Sequence, residues 1–363
     1  MNISFDYRMK DWSGIGRYSS SLIDELSQKS FFNKKFNLIK CYNQNSQTIN
    51  YVNCSSDVFS ISEQFKLPII SFENNIDLFH SPHFIFPIFN SGKLILTIHD
   101  LTPLLFSDIF PLKARIYMKT MIWLSKFKAD KIITVSKNTK DDLVEIFNYN
   151  PEKIVVIYNG VDSSYRIIND EKLIYDVKDK YDTGEEFLLY VGNIKPHKNI
   201  PSLLKALDKL NKNNKLVIVG KRDNAYDEIF DVIKEHDLSD RVIFTGFVSD
   251  EDLILLYNAA TLFVYPSLYE GFGLPPLEAM ASGTPVITSN LSSLPEVVGD
   301  AAITVDPYNI NELANEINNV LSDKELQKVM INKGLKRAKE FTWEKTACET
   351  IKVYEEVLNK KLM

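Results

Sequence analysis

The apolar residues of this chain fall into short, unbroken runs of Ile, Val, Leu and Phe, at 94–98, 132–135, 154–157, 187–191, 216–219, 242–244, 262–265, 286–288 and 302–305. A strand with one wet face alternates apolar and polar residues. Runs without alternation read as strands covered on both faces, which is the habit of parallel sheets. Helical stretches separate many of them, so the expected fold class is α/β. The pattern begins twice. A strand at 3–5 leads through Gly14 and Gly16 into a helix with Ile15, Tyr18, Leu22 and Leu26 at helical spacing, and a strand at 188–191 leads through Gly192 into one with Leu203, Leu204, Leu207 and Leu210. Each is the start of a Rossmann-like unit. A length of 363 residues suits two domains, and the charge-dense stretch 169–186 is the best boundary, giving domains 1–170 and 171–344. Thr342 is expected to cap a last helix at about 345–363, with Ala347, Ile351, Tyr354 and Leu358 on its apolar face.

Composition removes several classes. Lys plus Arg number 42 against 48 Asp plus Glu, so the formal charge of −6 gives no general pull toward nucleic acid. Cys41, Cys54 and Cys348 make an odd count without a CxxC pair, which argues against a disulfide framework or a cysteine zinc site and for a reducing, cytoplasmic setting. No apolar h-region follows MNISFDYRMKDW, so secretion is not expected, and no stretch reaches the roughly 18 uncharged apolar residues of a spanning helix.

The segment 265–283, YPSLYEGFGLPPLEAMASG, is the richest in chemistry. Pro275 or Pro276 suits the first turn of a helix, where a missing N–H costs nothing. The amides of Gly271, Phe272, Gly273 and Leu274 and the helix dipole then favour an anion such as a diphosphate. Glu270 and Glu278 flank this position, and two carboxylates beside a phosphate conflict unless they accept from hydroxyls, as ribose or hexose diols require. A sugar nucleotide offers both groups. The plainer alternative makes Glu278 a first-turn charge on the helix dipole and Glu270 a solvated loop residue.

EGFGLPPLEAM followed by ASGTPVI resembles the E-x7-E region of family-four retaining glycosyltransferases, which have the two-domain GT-B fold. YVGNIKPHKNI, RVIFTGFVSDEDL, LPEVVGDAA, ITVSKNT and YNGVD resemble that family in order, and the likeness covers nearly the whole chain except 29–75 and 165–185. The resemblance implies two Rossmann-like domains facing across a cleft, with the last helix crossing back to the first, acceptor-side domain. It implies that Glu270 contacts the donor sugar's hydroxyls, that Glu278 holds the ribose, that the amides between them take sugar and phosphate oxygens, and that Lys198 neutralises the diphosphate. Gly14 and Gly16 match the loop that approaches the donor phosphates, although glycines there also serve simple turns. The base is read by backbone groups near Phe247 and Val248. Many relatives carry an arginine where this chain has Asn193; His197 or Arg17 are the candidates to replace its charge.

Of the three histidines His80, His83 and His99, His83 follows an apolar segment and His99 ends the strand at 94–98, so both suit loops at the carboxyl edge of the first sheet. His99, in TIHDLTP, resembles the family's histidine that approaches the donor sugar; alternatively it bonds Asp100 or a backbone carbonyl for structural reasons. A zinc site from His80, His83 and His99 fits by residue type alone. Asp250-Glu251-Asp252 superficially resembles an acidic metal motif, but Ser249 capping a helix accounts for it. No metal or other cofactor is expected.

The expected reaction is retaining, metal-independent hexosyl transfer from a nucleotide sugar to a lipid-linked oligosaccharide or surface polysaccharide such as lipopolysaccharide O-antigen. HSPHFIFP and TIHDLTPLLF look most like mannosyltransferase members, making GDP-mannose the first donor to test. The alternatives are a nucleotide-sugar epimerase on the same fold and a non-catalytic sugar-nucleotide-binding protein. The stretch 111–131 holds six basic residues, with Arg115, Lys119 and Lys126 on one helical face near Tyr117, Met121, Ile122 and Trp123. It suits either an anionic membrane surface, with the protein peripheral on the cytoplasmic face, or a packed helix with a solvated basic edge.

Overall fold

The computed structural model describes residues 2–29, 36–40, 50–221 and 226–362. It divides into two compact units, Met1–Gly160 with Thr342–Met363, and Val161–Phe341.

The first unit is built on strands β1 (Ile3–Asp6), β2 (Phe36–Lys40), β3 (Asn50–Asn53), β4 (Leu78–Ser81), β5 (Lys93–Ile98), β6 (Lys131–Thr134) and β7 (Ile154–Val156). They form one sheet in the order β3-β2-β1-β4-β5-β6-β7, with every pairing parallel. Successive side chains of a strand point to opposite faces. Phe79, Leu94, Leu96 and Ile132 accordingly join one buried cluster, while Leu78, Ile95 and Ile133 join the other. Both faces are covered, which is why the runs show no polar alternation. The second cluster is closed by the helix Ser13–Ser27 and the final helix Trp343–Leu358, whose Trp343, Ala347, Ile351 and Tyr354 pack with Tyr18, Leu22 and Leu26. The last helix thus belongs to the first unit, and Thr342 caps it by accepting from the Lys345 amide at 3.2 Å.

Strands β2, β3 and β4 were not legible in the sequence. β3 is the edge strand, with residues exposed or half-exposed, so it carries no apolar run. β4 is interior but places His80 and Ser81 in its four residues. Both ring nitrogens of His80 are hydrogen-bonded, Nδ1 with Tyr354 Oη at 2.6 Å and Nε2 with Thr97 Oγ1 at 2.9 Å, which lets a polar residue sit fully buried.

The second unit is a six-stranded parallel sheet of β8 (Phe187–Val191), β9 (Lys215–Val219), β10 (Val242–Gly246), β11 (Leu262–Tyr265), β12 (Val286–Ser289) and β13 (Ile303–Val305) in the order β10-β9-β8-β11-β12-β13. Counted from its own first strand, the sequence is 3-2-1-4-5-6. This is the doubly wound Rossmann order, whose reversal point lies between its first and fourth strands. The first sheet has the same order with one strand added.

The units divide at Gly160 and Val161 rather than at 170 and 171, and the return to the first unit begins at Thr342 rather than 345. The charge-dense stretch is part of the second unit because the helix Glu171–Lys180 packs on the helix Asp250–Ala259. Lys180 Nζ and Tyr181 Oη both reach Asp252 Oδ2 at 2.6 Å, and the Ile168 amide donates to Asn258 Oδ1 at 2.7 Å.

The basic stretch forms the helix Leu112–Lys128, which buries Met118, Met121, Ile122 and Ser125. Met121 and Ile122, expected at a lipid surface, therefore face the core. Its exposed side chains include Leu112, Ile116, Trp123 and Phe127, at helical spacing, with Lys113, Lys119 and Lys128 among them, whereas Arg115 and Lys126 of the expected basic face are only half-exposed. Among the described residues no helix is long and apolar enough to cross a membrane. Cys54 and Cys348 are free thiols, and Cys41 lies outside the described residues.

Candidate active site

In open parallel sheets ligands bind beyond the carboxyl ends of the strands, at the point where strand order reverses. In the second unit that point lies between β8 and β11. The chain leaving β8 makes a 3₁₀ turn, Pro196–Lys198, and the chain leaving β11 makes the loop that contains Glu270. The two loops are tied together: the Leu268 amide donates to the His197 carbonyl at 2.8 Å, and Asn199 Nδ2 donates to the carbonyls of Pro266 at 3.2 Å and Pro307 at 2.8 Å.

This frame brings Lys198 and Glu270 into contact. Lys198 Nζ donates to Glu270 Oε1 at 2.6 Å and to Tyr265 Oη at 3.2 Å, and the two charged side chains are only 13% and 12% exposed. Burial by itself would raise the Glu270 carboxyl; the Lys198 charge, with hydrogen bonds from Lys198, Ser267 and Tyr265, outweighs it and holds the group below its ordinary range. Glu270 is therefore an ionised, acceptor-only group rather than a solvated loop residue. Its backbone is fixed as well. The Glu270 amide donates to Ser292 Oγ at 2.8 Å, and Ser293 Oγ donates to the carbonyls of Glu270 at 2.9 Å and Phe272 at 2.6 Å.

The loop ends in the helix Leu274–Ala281, with prolines in its first turn and Gly273 as N-cap. Gly273 has φ of +120°, and a Cβ there would lie 2.9 Å from Leu294 Cδ2, so only glycine makes this entry without strain. First-turn amides have no acceptor inside their own helix. Pro275 and Pro276 supply none, which leaves Leu274 and the loop amides of Gly271, Phe272 and Gly273. Glu278 lies beyond the first turn, so the alternative reading as a first-turn charge fails. It is 2% exposed, and its Oε2 accepts from Tyr257 Oη at 3.0 Å.

Three other expected residues also follow strands of this sheet at their carboxyl ends. Asn193 follows β8 and is exposed; Phe247 and Val248 follow β10, Phe247 exposed and Val248 buried. His197 does not replace the missing arginine's charge. Burial, reinforced by the Lys198 charge, lowers it to about 4, so the ring is neutral near pH 7.

In the first unit Gly14 and Gly16 lie inside the helix Ser13–Ser27 rather than in a loop before it. A Cβ on Gly16 would sit 2.1 Å from the Lys10 carbonyl oxygen, so this glycine accommodates the protein's own backbone; around Gly14 there is open space. His99 follows β5. Its Nε2 donates to the Pro82 carbonyl at 3.0 Å, and its ring meets Tyr18 edge-on at 4.8 Å. The backbone-carbonyl partner foreseen as an alternative is thus present. It fixes the neutral tautomer with Nδ1 as acceptor, and burial lowers the ring's pKa. Both ring nitrogens of His80 are committed to hydrogen bonds within the first unit. Ser249 Oγ accepts from the Asp252 amide at 3.1 Å and caps its helix, and Asp252 is paired with Lys180.

Comparison with known proteins bears directly on this arrangement. Residues 172–337 match the family model described as "Glycosyl transferases group 1", and residues 41–165 match "Glycosyltransferase Family 4". O-antigen chain mannosyltransferase B of Escherichia coli is 34% identical over 282 residues, which cover 76% of this chain and 74% of that one. The chain belongs to the family 4 glycosyltransferases. Its fold is that of sucrose-phosphate synthase from Thermosynechococcus elongatus, with a TM-score of 0.81 at 20% identity over 99% of both chains. It is likewise that of Anabaena HepE, solved with UDP and glucose, with a TM-score of 0.80 at 19% identity over 98% of this chain and 99% of that one. In this GT-B glycosyltransferase, sequence reasoning missed Tyr265, Asn199, Ser292 and Ser293, which hold the charged pair and its loop. The signal was faint: KPHKN contains Asn199 and SSLPEVVG contains both serines, but their partners are loop carbonyls and amides that no spacing rule reveals.

Proposed function

We propose that this glycosyltransferase transfers mannose from GDP-mannose, with retention of configuration and without a metal ion, to a lipid-linked oligosaccharide or O-antigen-type polysaccharide. The observation that carries the reading is the placement of Lys198 and Glu270 at the reversal point of the second sheet, beside a helix N-terminus. As the bond from sugar to diphosphate breaks, negative charge grows on the leaving oxygen. Lys198 and the amides of Gly271, Phe272, Gly273 and Leu274 are preorganised donors for that charge, and such stabilisation is commonly the largest catalytic term. Glu270 accepts from sugar hydroxyls while Lys198 spans the carboxylate and the diphosphate. Glu278 exchanges its Tyr257 partner for ribose hydroxyls. The base lies toward Phe247 and Val248, since β10 is three places from β11 and strands are spaced roughly 4.8 Å apart. The mannosyltransferase name of the E. coli relative supports mannose as the sugar.

Retention requires either two displacements or a front-face transfer. We favour the front-face route, in which the leaving phosphate takes the acceptor's proton as the acceptor attacks from the same side. His99 offers Nδ1 as an acceptor to a sugar hydroxyl. Trapping of a glycosyl-enzyme adduct would reject this route.

The acceptor's lipid places the protein on the cytoplasmic face of a membrane. What supports this is the exposed row Leu112, Ile116, Trp123 and Phe127 on a lysine-rich helix, the pattern of an interfacial helix. A thermal-shift panel of GDP, UDP, ADP and their sugars tests the donor, because a ligand of the native state must raise its stability. GDP and GDP-mannose are expected to give the largest shifts. A larger shift with UDP compounds would reject GDP-mannose, and conversion of the donor sugar without an acceptor would favour the epimerase.

A further inference from the structure

The first unit carries an aromatic cluster that the transfer chemistry above does not use. Trp12 follows β1, Phe59 follows β3 and His83 follows β4, so all three lie past the carboxyl ends of strands, and β1 and β4 flank the reversal of the first sheet. Trp12 and Phe59 are stacked, with centroids 5.7 Å apart and planes 17° from parallel. His83 meets both edge-on, at 5.8 Å and 6.1 Å.

We propose that Trp12, Phe59 and His83 form a subsite for a hexopyranose ring of the acceptor; this rests on the glycosyl-transfer reading. Four observations support the assignment. Phe59 is 50% exposed, so the cluster is not simply core. Its φ is +69°, a left-handed conformation that is strained for a bulky side chain, and such strain concentrates at functional positions. His83 Nδ1 has no hydrogen-bond partner among the described residues and is shut off from solvent, an arrangement that calls for a polar partner. Finally, the subsite adjoins His99, whose Nε2 donates to the carbonyl of Pro82, the residue before His83.

The chemistry matches a sugar. One face of a pyranose is a patch of C–H groups that lies on an aromatic ring, and its rim carries hydroxyls that both donate and accept. A neutral imidazole offers one donor and one acceptor, and burial keeps His83 neutral, at about 3. The platform stands on a rigid base. Phe59 meets Tyr117 edge-on at 5.7 Å, Tyr117 Oη donates to Glu63 Oε1 at 3.4 Å, and Glu63 Oε2 accepts from Arg8 at 3.1 Å, beside the Arg8–Asp6 pair at 2.7 Å. Anchoring of this kind keeps a binding group in place before the ligand arrives.

The test uses the full chain with labelled tryptophan indoles. Trp12 is assigned by its loss in Trp12→Phe, and Trp123 and Trp343 serve as references. Methyl α-mannopyranoside and an α-linked mannobiose are the probes, titrated to tens of millimolar (roughly the millimolar range of weak sites). Saturable movement of the Trp12 signal is expected, with affinity reduced about tenfold in Phe59→Ala and in His83→Ala. A Trp12 signal unmoved by either saccharide overturns the proposal, as does unchanged affinity in both variants or movement by nucleotide alone. Nucleotide thermal shifts on the same samples report on the donor reading separately, so the two ideas fail by different measurements.

Discussion

Lys198 Nζ lies 2.6 Å from Glu270 Oε1, joining two loops that are 72 residues apart in sequence. Each group limits the other. The lysine keeps the carboxylate ionised in a largely buried position, and the carboxylate keeps the cation aimed at the carboxyl edge of the sheet rather than at bulk water. If Lys198 stabilises the leaving diphosphate, Lys198→Ala lowers turnover by roughly 10²-fold or more. Steady-state kinetics with saturating donor decide it, and near-normal turnover would sink the assignment.

The pH dependence of stability follows from four histidines that burial lowers, His80, His83, His99 and His197. Burial first, with the neighbouring charge of His99 or Lys198, lowers His80 and His83 to about 3 and His197 to about 4, from an ordinary value of 6.5. Below about pH 6.5 the unfolded chain takes up protons that the folded chain refuses, so stability is full above that value and falls as pH drops toward 4. Each histidine contributes a slope of roughly 1.4 kcal/mol per pH unit. The depressed carboxyl of Glu270 adds a loss at still lower pH, as pH falls through its folded-state value. Three of the histidines lie in the first unit and one in the second, so urea unfolding is expected to show the first unit weakening more steeply between about pH 6 and pH 5. Equal slopes for both units would contradict the burial of His80 and His83 as neutral rings.

Gly14 and Gly16 separate two reasons for a glycine. A Cβ at Gly16 would meet the Lys10 carbonyl oxygen at 2.1 Å and its carbon at 2.8 Å, and a backbone cannot swing aside as a long side chain does. Gly16→Ala is expected to cost about 1–3 kcal/mol. Nothing lies within 4 Å of a Cβ at Gly14, which is helical. Gly14→Ala is expected to raise stability by about 0.4–1 kcal/mol through the unfolded state. Paired thermal melts check both, and equal destabilisation would show that the contrast is wrong.

Membrane association makes a further prediction. Trp123 and Phe127 are 52% and 64% exposed on the lysine-rich helix. Serine at both positions is expected to reduce sedimentation with anionic liposomes while leaving melting of the first unit nearly unchanged, because surface substitutions usually alter stability by within about 0.5 kcal/mol. High salt is expected to weaken the wild type's binding. Wild-type protein that ignores anionic vesicles at low salt would end the membrane reading.

The second sheet was readable strand by strand, because β8 through β13 are apolar runs that pack on both faces. The first sheet was readable only in part. β3 is an edge without an apolar run, and β4 follows its Leu78 and Phe79 with a satisfied histidine and a serine, so neither shows an unbroken apolar run. The domain boundary misled for a related reason: the charges of 171–181 suggest a solvated linker, yet Lys180 and Tyr181 spend their polarity on Asp252 of the next helix. Lys198, Glu270, Glu278 and His99 were each legible as candidates, and a backbone-carbonyl partner was foreseen for His99, but the partners of the other three were not.

What the order of residues determined by itself was periodicity and local geometry: two α/β units, a proline-led helix after β11, and capping of the last helix by Thr342. These depend on contacts within a few residues or on the pattern of burial along one strand. Only tertiary structure decided that Lys198 meets Glu270, that Glu278 faces Tyr257, and that His197 and His83 are neutral. Those outcomes depend on desolvation and on distances between loops far apart in the chain, and both are set by how strands are ordered across a sheet.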